Sequence, residues 1–80
     1  MSASLEDLVD IGDRACAQGD RARLAEVARL LCVGPAAPLR EDLVAIERLA
    51  TSDPAAASQR WSTVSRCLRD WIAQGFAHHG

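Results

Sequence analysis

The 80 residues contain nine Arg and no Lys against eleven acids, a net charge of −2. The basic face that normally marks nucleic-acid binding is therefore missing. The apolar share is 49%, but fifteen of those residues are Ala; nine Leu, five Val, three Ile, two Trp, one Phe and one Met are left to form a core. That suffices for one domain near the lower size limit, but not for a core plus an enclosed ligand pocket of roughly 300 Å³ or more, so neither an enzyme nor a cofactor-binding protein is expected.

The first helix is predicted to start at Ser4, whose hydroxyl can cap the first turn while Glu6 and Asp7 face the positive end of the helix dipole. It runs to about Gln18. At about 100° per residue, Leu5, Leu8, Val9, Ile11, Gly12, Ala15 and Cys16 share one broad arc, with Glu6, Asp10, Asp13, Arg14 and Ala17 opposite. An arc that wide implies two neighbouring helices. Gly12 costs the helix about 1 kcal/mol, which is reasonable where another helix must come close.

Gly19 reads as a C-cap and Asp20 as the next N-cap, so a second helix follows almost at once and runs to Val33 on a stripe of Leu24, Val27, Ala28 and Leu31. So short a connection forces an antiparallel hairpin. Gly34 to Pro38 stops the helix and forms the one substantial loop. A third helix starts near Leu39 with Leu39, Leu43, Ile46, Leu49 and Ala50 on one face. Asp53-Pro54 then opens a fourth helix running to about Gln74, because Pro at the first helical position lacks an amide that would be unpaired anyway. Its stripe is Ala57, Trp61, Val64, Leu68, Trp71 and Ile72. Gly75 ends it, and Phe76 to Gly80 form a short tail.

Glu6-Asp7-Leu8-Val9-Asp10-Ile11 returns as Glu41-Asp42-Leu43-Val44-Ala45-Ile46, and each copy opens the first helix of a hairpin. A period near 35 residues is that of helical solenoids. Two amphipathic helices that merely begin alike would give the same pattern. Ile11-Gly12 and Gly19-Asp20 resemble, in spacing, the mid-helix Leu-Gly and the turn Gly-Asp of a tetratricopeptide repeat. The second copy has neither glycine. The resemblance implies a peptide- or protein-binding scaffold of the adaptor or chaperone kind.

Trp61 shares its stripe with Val64 and Leu68 and reads as core. Trp71 and Phe76 lie nearer the end of the fold and are candidates for an exposed patch, since Trp is enriched at interface hot spots. Leu30 and Val44 fall off their helices' stripes and complete the candidate protein interface. His78-His79 on a tail offers no preorganised metal geometry, and Cys16, Cys32 and Cys67 fit reduced, buried thiols better than a disulfide or zinc framework. Arg66 and Asp70, four apart, read as a solvated ion pair. Thr63-Val64-Ser65-Arg66 resembles the recognition-helix start of lac-repressor-type regulators, but the tight turn that should precede it is absent. No window is apolar enough to span a bilayer and no leader is recognisable.

The expectation is one all-α domain of two antiparallel hairpins, about 4–33 and about 39–75, arranged as a tetratricopeptide-like pair or closed as a four-helix bundle. Its expected role is a non-enzymatic cytoplasmic interaction module: a small adaptor, chaperone or regulatory subunit. Its partner would be another protein or a second copy of itself. A DNA-binding regulator using the helix over 54–74 is the alternative.

Overall fold

Helix starts follow the capping oxygens in the sequence. The computed structural model describes residues 4–34 and 36–75, and its helices are α1 (Leu5–Gln18), α2 (Arg21–Val33), α3 (Arg40–Ser52) and α4 (Pro54–Ala73). No strand occurs among the described residues. At α1, Ser4 Oγ accepts from the Asp7 amide at 3.2 Å and the Asp7 carboxylate accepts from the Ser4 amide at 3.5 Å, a reciprocal capping box. Asp20 accepts from the Arg23 amide at 3.0 Å to start α2, and Asp53 from the Ala56 amide at 3.3 Å to start α4. Between α1 and α2, Gly19 turns the chain at φ 69°, letting the Asp20 amide bond back to the Ala15 carbonyl at 2.9 Å.

The start of α3 differs from the sequence expectation by one residue and by kind. A 3₁₀ turn spans Ala37–Leu39, and α3 begins at Arg40 with no side-chain cap. Pro38 has no amide to donate, so the turn closes instead through the Leu39 amide to the Ala36 carbonyl at 2.9 Å. The Ala36 amide bonds back to the Leu31 carbonyl at 3.1 Å, and Ala36 itself is fully buried. The α2–α3 connection is thus folded onto the bundle and contributes to its core.

Each helix packs on two others: α1 on α2 and α4, and α3 on α2 and α4, while the diagonal pairs barely meet. The four therefore close into a ring. The overall dimensions, 36 × 22 × 21 Å, agree: one long helix in length and two helices of about 10 Å across each way. The antiparallel sense of α1 and α4 follows from residue pairing, because Asp10 meets Arg69 while Asp13, one turn later, reaches back to Ser65 and Trp61.

The predicted stripes supply the core. Leu24, Val27, Ala28 and Leu31 of α2 are all buried, as are Ala57, Trp61, Val64 and Leu68 of α4. Ile11, Leu49, Trp71 and Ile72 are half-buried at its margins. The three cysteines are half-buried free thiols rather than fully buried ones. The two copies of the hexapeptide open α1 and α3, diagonally across the ring. Their leucines are both buried, but Val9 is 0% exposed and Val44 36%. The broad arc of α1 covers two seams with bulky side chains, whereas α3 turns its valine outward.

Candidate interaction surface

The densest polar cluster lies in the seam between α1 and α4, around Asp13. Asp13 Oδ1 accepts from Trp61 Nε1 at 2.8 Å and from Ser65 Oγ at 2.8 Å, while Oδ2 is paired with Arg69. The same guanidinium reaches Asp10 at 3.0 Å. Ser65 and Trp61 are buried, so Asp13 satisfies two donors that water cannot reach. Partial burial alone would push the Asp13 carboxyl up, but hydrogen bonds from Arg69, Ser65 and Trp61, with the charge of Arg69, hold it below its ordinary value of 3.8. A carboxylate so held adds stability above pH about 4 that is lost as pH falls through its lowered value. Thermal unfolding followed across that acid range should show the wild type losing stability more steeply than Asp13→Asn; parallel curves would show that Asp13 carries no such linkage.

Two expectations from the sequence change here. Asp13, on the polar side of α1, is not a free outward charge: with Arg69 it joins α1 to α4, while the two side chains stay 37% and 47% exposed. Arg66 and Asp70 are not among the ion pairs of the described residues, and Asp70 accepts instead from Gln74 Nε2 at 2.8 Å. Every member of the Asp13 cluster is engaged with another member, which suits a structural clasp better than a reactive centre.

At the opposite end from the α2–α3 connection, the two tight turns enclose a half-open cleft of about 140 Å³, with Ala15, Leu24, Ala50 and Pro54 as its apolar wall and Cys16 and Ser58 beside them. Burial pushes the Cys16 thiol above its ordinary value, and the nearby charge of Asp13 acts in the same direction. Thiolate is therefore scarce at neutral pH, the reverse of what activates a catalytic cysteine. No group of three or more His, Cys, Asp or Glu is placed to hold a metal among the described residues.

Among the described residues the exposed large apolar side chains are Val33 at 79%, Leu30 at 43% and Val44. Helical spacing places both Leu30 and Val44 on outward faces. Val33, at the last turn of α2, carries no signal in the sequence beyond ending the helix, because a stripe says little about residues beyond the last covered turn. Leu30 lies seven residues beyond Arg23, which lines a cleft with Ile11, Arg14 and Gln18 of α1, so Leu30 is on the α1-facing flank of α2. Val44 instead lies with Glu41, Ala45, Arg48 and Leu49 of α3 and Arg60 of α4 in a shallow groove of about 390 Å³. The two candidates thus turn to different flanks. Trp71 packs half-buried against the core margin; Phe76, His78 and His79 lie outside the described residues.

The groove is built from both helices of the second hairpin. Arg60 reaches from α4 toward α3 and pairs with Asp42 at 3.7 Å, both side chains about half exposed. Such a pair contributes at most about 1 kcal/mol in water, so Arg60 stays available to a ligand at little cost. Among the described residues no helix is long and apolar enough to cross a membrane. No protein-family model matches the chain, and no curated protein or solved structure does either.

Proposed function

We propose that the chain is a non-enzymatic protein-interaction module, an adaptor, chaperone or regulatory subunit acting in the cytoplasm, that binds through the α3–α4 groove. The supporting observation is the composition of that groove: an exposed valine beside half-buried Ala45 and Leu49, edged by Glu41, Arg48 and Arg60. A small apolar centre inside a charged rim is the anatomy of a protein contact, in which the centre supplies affinity and the rim orientation. Of the α4 arginines that DNA recognition could use, Arg69 is held by two carboxylates of α1, and the net charge of −2 supplies no excess of positive charge for a phosphate backbone, which favours the protein reading over the nucleic-acid one.

The test is affinity capture from the native host with the full chain as bait, comparing Val44→Asp with Leu30→Asp. Burying a charge at the centre of the contact should weaken binding of a captured protein at least about tenfold for Val44→Asp, with the melting temperature unchanged. Leu30→Asp, on another flank, should leave it intact. Equal binding by the Val44 variant and the parent chain would refute the assignment to this groove.

A further inference from the structure

The outward face of α3 has a symmetry that a heterologous ligand would not require. Glu41 and Arg48 lie seven residues apart, two turns along one face, and Val44 and Ala45 sit midway between them. We infer that this face is self-complementary and that the groove's occupant is a second copy of the chain, with α3 packed antiparallel on α3 about a two-fold axis between Val44 and Ala45. This rests on the reading of the groove as a protein-binding surface and names its partner.

In that arrangement Glu41 of each copy meets Arg48 of the other, and each Val44 faces Ala45 across the axis. A two-fold contact requires a patch that matches itself in this way, residue i meeting j while j meets i. The charges are available: neither Glu41 nor Arg48 takes part in an ion pair among the described residues, whereas Arg60 and Arg69 both do. Ala45 is small, which allows the two helix axes to come within the roughly 8–10 Å of ordinary helix packing. The corresponding segment of α1 cannot do the same. It begins with the same Glu-Asp-Leu-Val, but Val9 is completely buried and Asp10 is bonded to Arg69.

One helix against one helix, 13 residues each, lies at the small end of specific interfaces. The dimer should accordingly be weak, and its charge pairs should make it weaker still as salt rises. Sedimentation equilibrium of the full chain, from micromolar to millimolar concentration, should show reversible dimerisation. Glu41→Arg and Arg48→Glu should each weaken it about tenfold or more, because the axis places every substitution at two contacts and turns both repulsive. The combined Glu41→Arg, Arg48→Glu chain should dimerise again with nearly the parent constant, since the swapped charges still meet opposites. Circular dichroism of the dilute monomers should show all three variants as stably folded as the parent.

A parent chain that stays monomeric to millimolar concentration overturns the inference, and so does a double variant no better than the singles. If the chain is monomeric yet captures another protein through Val44, the dimer fails and the interaction function stands. Should the charge swap restore dimerisation while Val44→Asp leaves capture of a foreign protein unchanged, the dimer stands and the groove's role in that capture fails.

Discussion

Trp61→Ala is expected to lower the unfolding free energy by about 3–5 kcal/mol, the range for deleting a large buried aromatic side chain. Trp61 is 1% exposed and is the largest fully buried side chain of the bundle. Its indole fills the seam against Gly12 and its Nε1 is bonded to Asp13, so truncation leaves a cavity and removes one of the three side chains that donate to Asp13. A domain of this size has only about 4–12 kcal/mol in total. The loss should therefore appear as a melting temperature lower by about 15 °C or more, at roughly 4–8 °C per kcal/mol. Trp61→Phe separates the two contributions. It keeps most of the apolar contact and removes the donor, while Ser65 and Arg69 still satisfy Asp13; a loss of about 1–2 kcal/mol is expected. Denaturant unfolding of the three chains decides, and a Trp61→Ala protein within about 1 kcal/mol of the parent would show that the seam does not depend on this side chain.

Helix positions were legible in the sequence because their determinants are local. Ser4, Asp20 and Asp53 cap amides three residues away, Gly19 supplies a left-handed turn, and Leu24 to Leu31 repeat at the helical period; none of these needs a distant partner. The exposure of Val44 was legible for the same reason, since the buried stripe of α3 is narrow. Asp13 was not. A helical wheel puts it opposite the apolar arc of α1, and only the ring closure that sets α4 beside that flank brings Trp61, Ser65 and Arg69 to it, 48 to 56 residues along the chain. Arg66 and Asp70 show the converse. Their spacing permits a pair, but Gln74 stands at the same interval beyond Asp70 and takes the carboxylate. The groove around Val44 was half legible: Glu41, Val44, Ala45 and Arg48 share a face by arithmetic, whereas Arg60 joins them only because α4 packs on α3.

Gly12→Ala should destabilise the chain by about 2 kcal/mol, although helix propensity alone would favour alanine by about 1 kcal/mol. The opposing term is steric. A Cβ on Gly12 would stand 2.0 Å from Trp61 Cζ2, 2.5 Å from Cη2 and 2.7 Å from Cε2, far inside contact distance. A flexible side chain could yield, but this indole is enclosed by the core and tied through Nε1 to Asp13, so the helices must part or the hydrogen bond must break. The sign of the effect should depend on what faces the glycine. In a Trp61→Leu background the ring atoms are gone, and Gly12→Ala should become neutral or stabilising by up to about 1 kcal/mol, as propensity alone dictates. The two substitutions are thus expected to couple by about 2–3 kcal/mol, large for a pair 49 positions apart in sequence and typical of residues in direct contact. Urea unfolding of the parent, both single variants and the double variant measures the coupling. A stabilising Gly12→Ala in the parent would mean that α1 and α4 are not packed this closely, and the clasp of Asp13 on Trp61 and Ser65 would lose its geometric basis with it.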